Sequence, residues 1–168
     1  MKIYLDMDGV IADFFGGLER FYNVKHWKDL PHPQDSVYAL KNTNFFNTLD
    51  TFSTSKTLVD YVRLLAGDNY GICSSPLRND QQNSSYWKRV WLYRRGFMPK
   101  VENLIFTGMK QKFATGFHDQ PNILVDDKPK NIDEWIAAGG IGILYQANQD
   151  SISDLIQKLD YEYAKQLL

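Results

Sequence analysis

Short apolar runs alternate along this chain with stretches whose hydrophobic residues recur at helical spacing. Lys2–Leu5, Tyr70–Cys73, Leu104–Phe106, Ile123–Val125 and Ile141–Tyr145 are apolar, only a few residues long and mostly bounded by Gly, Pro, Asn or Asp, which predicts strands. Leu58, Tyr61, Val62 and Leu65 share one face of a predicted helix. So do Tyr86, Val90 and Tyr93, with Trp87 and Trp91 on an adjoining face. For the basic, aromatic segment 86–95 the expectation is rings inward and charges outward. Ser151 followed by Asp154 resembles a capping box with Asp in place of Glu, ahead of a stripe of Ile152, Leu155, Ile156 and Leu159. Alternating strands and helices imply an α/β fold, a parallel sheet covered on both faces. One stretch breaks the alternation. From about residue 16 to 57 no strand pattern occurs, and Pro31, Pro33 and several Asn and Asp residues interrupt it. That is too long for an ordinary connection and predicts a small helical cap inserted after the first strand of a single domain spanning 1–168. Open α/β sheets bind ligands beyond the carboxyl ends of their strands, so a cap there would close a pocket.

Composition narrows the classes. A chain of 168 residues with 43% hydrophobic and 23% charged residues can bury a core and is not a disordered chain. With 19 Lys and Arg against 20 Asp and Glu, a net charge of −1 argues against a nucleic-acid binder that works through a broad basic face. The single cysteine, Cys73, excludes an internal disulfide and fits a reducing compartment. Ile3-Tyr4-Leu5 is cut off by Asp6 too early for a signal-peptide core, and no apolar run approaches the roughly 20 residues of a membrane span. A soluble, cytoplasmic protein is expected, with no membrane partner. Aromatic residues reach 14%. They suit a ring-packed core, and some could form a slot for a flat ligand such as a nucleobase.

Four polar clusters each follow a predicted strand. In Asp6-Met7-Asp8-Gly9-Val10 the two acids stand two residues apart on an extended segment, on one side, and Gly9 permits the turn that aims them past the strand end. Such a pair suits one carboxylate as nucleophile and the other as acid/base. A surface turn or part of a calcium loop would use the same residues, but no Glu stands where a calcium loop needs its twelfth ligand. Cys73-Ser74-Ser75-Pro76 offers short hydroxyls and free backbone N–H groups to phosphate oxygens, or is a simple helix start. Cys73 itself has no evident base partner. Lys110, with Lys112 near it, could balance charge on a transferring group or could be a solvated surface lysine. In Ile123-Leu124-Val125-Asp126-Asp127 an apolar strand ends in two acids, and a hard cation such as Mg²⁺, shared with Asp6, would compensate them. The favoured division has Asp126 meeting the metal and Asp127 accepting backbone N–H groups of the following turn. His26, His32 and His118 lack metal-ligand spacing.

Taken in order, these motifs resemble the four-motif signature of haloacid dehalogenase superfamily phosphatases. Asp-Met-Asp-Gly-Val-Ile-Ala-Asp-Phe (6–14), Asn44-Phe45-Phe46, Ile72-Cys73-Ser74-Ser75-Pro76 and Leu124-Val125-Asp126-Asp127 look like the 5′(3′)-deoxyribonucleotidase family, over most of residues 1–145. The resemblance implies a three-layer Rossmann-like (HAD-like) sheet with a small helical cap. It also implies that Asp6 attacks phosphorus to form an aspartyl-phosphate, and that Asp8 protonates the leaving oxygen and then activates water. Mg²⁺ would be held by Asp6, the backbone carbonyl of Asp8, and Asp126, with Asp127 in support. Ser74, Ser75, Lys88 and Lys110 would grip the phosphate. Aromatic residues would line the nucleoside pocket, with Phe14 and Phe45 or Phe46 at the matching positions. Apolar surroundings at the sugar 2′ position would favour deoxyribose. Several features depart from the family pattern. Ser74 replaces the usual Thr, Thr51–Ser55 replaces a Pro/Gly-containing turn, and the third motif is longer before Asp126. Lys110 is preferred to Lys112 because Lys110-Gln111-Lys112-Phe113-Ala114 places the lysine three residues before an aromatic–Ala pair, as in the family. The substrate reading is a small-molecule nucleotide, with the base and the 5′ or 3′ position open; the resemblance allows a homodimer. The alternatives are a related phosphatase or phosphomutase acting on a sugar phosphate or polynucleotide end, and a non-catalytic binding module of the same fold.

Overall fold

A computed structural model describes residues 1–166 and gathers the apolar runs into one five-stranded, all-parallel sheet. The strands are β1 (Ile3–Leu5), β2 (Tyr70–Ser74), β3 (Leu104–Phe106), β4 (Ile123–Asp126) and β5 (Ile141–Leu144), in the order β3-β2-β1-β4-β5. The central strands β1, β2 and β4 are buried on both faces, whereas the edge strands β3 and β5 are partly exposed. Ile3, Leu5, Ile123 and Val125 pack with Leu58, Val59 and Val62 of α3 (Ser55–Ala66) and Leu155 and Leu159 of α6 (Ile152–Lys165). Tyr4, Cys73 and Leu124 turn the other way, onto Ile132 and Trp135 of α5 (Pro129–Ala137). Full burial of each aliphatic side chain of this kind contributes about 1.5–3 kcal/mol, so the two faces together drive the fold. Trp135 keeps its indole N–H satisfied, donating to the Asn122 carbonyl at 3.0 Å. At the start of α6, Ser151 accepts the Asp154 N–H at 3.3 Å, the cap its sequence suggests.

Between β1 and α3 the chain forms α1 (Phe14–Tyr22), α2 (Pro33–Tyr38) and short 3₁₀ turns at Trp27–Asp29 and Phe45–Thr48. The two ends of this segment meet. Ala12 bridges Thr51, and the Asp13 N–H donates to the Asp50 carbonyl at 2.8 Å. The Phe45–Thr48 turn lies against α4 (Gln81–Arg95), where Trp91 donates to the Leu49 carbonyl at 2.7 Å. A second anchor is the buried Asp80, which accepts from the Asn42 N–H and the Asn83 amide at 3.3 and 2.9 Å.

Helix α4 departs in part from its expected orientation. Tyr86 and Tyr93 are exposed, and the buried face runs through Ser84, Lys88, Trp91 and Leu92. Trp91 and Trp87 do pack inward and Arg89, Arg94 and Arg95 face out, so the departure is confined to the two tyrosines and to Lys88, the one charge turned inward. The reason is polar pairing. The Ser84 hydroxyl donates to the Asp80 carbonyl at 2.7 Å, and Lys88 reaches a carboxylate beneath the helix. Tyrosine hydroxyls tolerate water at little cost.

Candidate active site

The register of the sheet builds the site. Leu5 pairs with Val125, so Asp6 and Asp126 follow side by side at the carboxyl ends of β1 and β4. Strand order reverses direction between these neighbours, and such a switch point leaves a crevice beyond the strand ends. The chain then turns tightly, with the Met7 carbonyl accepting the N–H groups of Val10, Ile11 and Ala12 at 2.9–3.2 Å. Gly9 adopts φ +80°, and a Cβ there would run into the Asp127 carboxylate. Only glycine lets the first loop pass so close to the second pair of acids.

Asp6 is buried, and Lys110 sits between it and Asp126, its ammonium 3.0 Å from Asp6 Oδ1 and 2.6 Å from Asp126 Oδ2. Burial alone would raise the Asp6 pKa, but the charges of Lys110 and Lys88 outweigh it and hold the carboxyl below its ordinary range. Asp6 is therefore ionised, as a nucleophile requires. Burial alone would lower the Lys110 pKa; Asp6 and Asp126 together hold it above the usual lysine value. Lys110 is only 3% exposed, whereas Lys112 faces solvent, which separates the two candidate lysines. Asp126 is pushed up by burial and by the Asp6 charge, against the pull of Lys110 and of the Lys128 N–H.

The expected division of labour between Asp126 and Asp127 is corrected. The Lys128 N–H donates to Asp126 Oδ1 at 2.9 Å, while Asp127 Oδ1 is buried without a partner. A short acidic side chain caps the N–H two residues on; for Asp126 that is Lys128, but for Asp127 it is Pro129, which has none. Asn131 also supports Asp126, donating to both oxygens at 3.1 and 3.0 Å. Sequence reading missed it, although an Asn in the first turn of a helix opening on Pro129 was a legible signal.

Asp8 points elsewhere. Its Oδ2 accepts from Lys88 at 2.7 Å, and Lys88 also donates to Ser74 Oγ and the Ser75 carbonyl, each at 2.9 Å. Ser74 is buried at the end of β2 and Ser75 is half-buried beside it. Phe46 stands over the Lys88 ammonium at 4.7 Å from its ring centre. Phe14 is half-buried and stacks with Phe46 at 6.2 Å, while Phe45 is buried and meets Phe14 edge-on at 5.6 Å. The structure thus brings Asp6, Asp126, Asp127 and Lys110 together, and joins Asp8, Ser74, Ser75, Lys88 and Phe46 through one ammonium. Phe45 belongs to the packing of the helical segment. Of the histidines, His26 accepts the Lys28 N–H at 3.1 Å, and His32 and His118 take left-handed backbone conformations; none belongs to the acid cluster.

The donor set suits a small, hard cation. Asp6, Asp126 and Asp127 each offer an oxygen within 4.8 Å of the others'. Asp127 Oδ1 is buried without a donor, and Asp6 Oδ1 meets the Lys110 ammonium at 3.0 Å. All donors are oxygens, and four acids (Asp6, Asp8, Asp126, Asp127) face two buried lysines (Lys88, Lys110). A divalent ion would balance that excess.

Cys73 lies beneath the site, and burial, reinforced by Asp6 and Asp126, pushes its thiol up to about 12. It is expected to resist iodoacetamide at neutral pH in the folded protein and to react on unfolding in guanidinium. Mass-spectrometric labelling checks this, and rapid alkylation of the native protein would contradict the burial.

No family model matches the chain, and no curated protein does. Among solved structures it is similar to a hydrolase from Streptococcus pneumoniae TIGR4, with TM-score 0.51 and 15% identity over 95% of this chain and 97% of that one. The likeness is one of fold. It extends to nearly the full length of both chains, so the segment between β1 and α3 is part of the comparison. No helix among the described residues is long and apolar enough to cross a membrane.

Proposed function

We propose that the chain is a Mg²⁺-dependent phosphoric monoester hydrolase of the haloacid dehalogenase type, acting on nucleoside monophosphates with a preference for deoxyribose. The observation that carries this reading is a buried, ionised Asp6 held against the Lys110 ammonium, set at the switch point of a parallel sheet with Asp8 two residues on. The motif resemblance and the fold likeness to a protein described as a hydrolase support it.

In this reading Asp6 attacks phosphorus, the P–O bond to the nucleoside breaks, and Asp8 delivers its proton to the departing oxygen. Asp8 then takes a proton from water as the water attacks the phosphorus of the aspartyl-phosphate, releasing inorganic phosphate and regenerating Asp6. Ser74, the Ser75 backbone and Lys110 orient the phosphoryl oxygens. Asp6, Asp126 and Asp127, with the Asp8 carbonyl, would hold Mg²⁺, which when bound neutralises phosphoryl charge. The rings of Phe14 and Phe46 offer the nucleoside an apolar wall. A ribose 2′-hydroxyl against such a wall loses water without gaining a partner, which disfavours ribose by roughly 10–100-fold.

Phosphate release across paired ribo- and deoxyribonucleoside monophosphates, with Mg²⁺ and with a chelator, tests the proposal. Release confined to the Mg²⁺ samples and faster on deoxyribose is expected. No release from any member overturns the enzyme reading. Equal rates within each pair remove the deoxyribose preference and leave the hydrolase reading in place.

A further inference from the structure

By its place in the motif series Lys88 is expected to grip the substrate phosphate, but its surroundings describe a different job. The side chain is 0% exposed and its ammonium has three protons. All three are engaged within the protein, at Asp8 Oδ2, Ser74 Oγ and the Ser75 carbonyl, and the Phe46 ring covers the group. A buried ammonium satisfied in this way has no donor to offer an incoming phosphate, and extracting it would leave Asp8 and two oxygens unpaired.

We infer that Lys88 is a positioning residue that aims the acid/base Asp8 and polarises Ser74, with Phe46 as the wall that keeps water from the linkage. This rests on the hydrolase reading above. Pinning Asp8 Oδ2 fixes the carboxyl plane and leaves Oδ1, buried without a partner, as the oxygen that holds or moves the proton. Because Ser74 Oγ accepts from Lys88, its own hydroxyl proton is directed away from the lysine and toward a phosphoryl oxygen. Phe46 comes from the helical segment and Lys88 from α4, so docking of that segment bears directly on the alignment of Asp8. The juxtaposition of one lysine, one acid, one hydroxyl and one ring is specific to the loop after β1, the end of β2 and α4 converging here.

Leaving-group dependence separates aiming an acid from gripping phosphate. A nucleoside 5′-oxygen needs a proton to depart, and p-nitrophenolate does not. Lys88→Met is therefore expected to lower kcat on a nucleoside monophosphate by about 100-fold, the scale of a lost general acid, and to lower kcat on p-nitrophenyl phosphate at least tenfold less severely. Phe46→Leu, which leaves the lysine in place, is expected to show the same inequality in milder form. Ser74→Ala serves as the phosphate-gripping reference and should affect both substrates alike. Binding of inorganic phosphate by calorimetry supplies a readout apart from turnover: Lys88→Met should bind it within about threefold of wild type, while Ser74→Ala binds it more weakly. Equal losses on the two substrates, or a large loss of phosphate affinity in Lys88→Met, overturn the inference and return Lys88 to the phosphate site. A wild-type protein inactive on both substrates overturns the hydrolase reading itself. If Lys88→Met fails to fold, the Phe46→Leu comparison decides alone, and equal losses in that variant count against the inference.

Discussion

Replacing Asp6 by Asn is expected to abolish phosphate release, by roughly 10⁴–10⁶-fold, while leaving the protein folded. Asn has the shape of Asp but no nucleophilic carboxylate, and it keeps the backbone hydrogen bond from residue 6 to the Val125 carbonyl. The fold should survive because this substitution removes one charge from a crowded cluster; Lys110 retains Asp126 at 2.6 Å. Loss of turnover alone would not separate a nucleophile from a mere metal ligand. Acid quenching during turnover of a phosphorus-labelled substrate does. Wild-type protein should retain label in a bond that hydroxylamine cleaves, as an acyl phosphate is cleaved, and Asp6→Asn should retain none. Label on the variant, or turnover within tenfold of wild type, would remove Asp6 from the role of nucleophile.

The strands were the most legible part of the fold. Each was short, apolar and sharply bounded, and the three central ones are apolar up to the site because both their faces are buried. Strand order was not legible, since it depends on which crossovers pack, and it is this order that sets Asp6 beside Asp126. In helix α4 the tryptophans and arginines lie as the pattern predicts, and the tyrosines and Lys88 do not, for a definite reason. Periodicity counts Tyr86 and Tyr93 as apolar and Lys88 as polar, yet the lysine has partners inside and the tyrosines need none. A charge that reaches inward to pair with another is invisible to any pattern built on single residues. The acids of the site were legible from the strand endings. The division between Asp126 and Asp127 was readable but misjudged, because Pro129 already withholds the N–H that Asp127 would need. The preference for Lys110 over Lys112 comes from the family resemblance, and Lys110 is the buried one; the residues by themselves do not reveal the direction of the 3₁₀ turn Lys110–Phe113 that separates them.

The second large effect concerns Asp127, pushed up to about 8 by burial and by the charges of Asp6 and Asp126. Its pKa in the unfolded chain is near the ordinary aspartate value of 3.8, so the folded protein binds the extra proton. A raised acid of this kind contributes stability that is present at low pH and lost as pH rises, here between about 4 and 8. Asp6 acts with the opposite sign and in a different window. Its lowered pKa stabilises above the usual carboxylate range and is lost only as pH falls below it. Metal-free protein is therefore expected to lose thermal stability from pH 5 to 8, and Asp127→Asn to lessen that decline, Asp126 being raised as well. At pH 8 the variant should be more stable by about 1–3 kcal/mol, the penalty of a buried polar group without a partner, or roughly 3–9 °C in Tm. Mg²⁺ should reverse the order. Bound as proposed, it would replace the proton on Asp127, so its stabilisation of wild type should be larger at pH 8 than at pH 5.5, and Asp127→Asn should lose much of that gain. Thermal melts of both proteins across this range, with Mg²⁺ and with chelator, measure every part of the argument. Parallel curves for wild type and variant would mean that Asp127 carries no excess proton, and the three-carboxylate ligand set would lose a member.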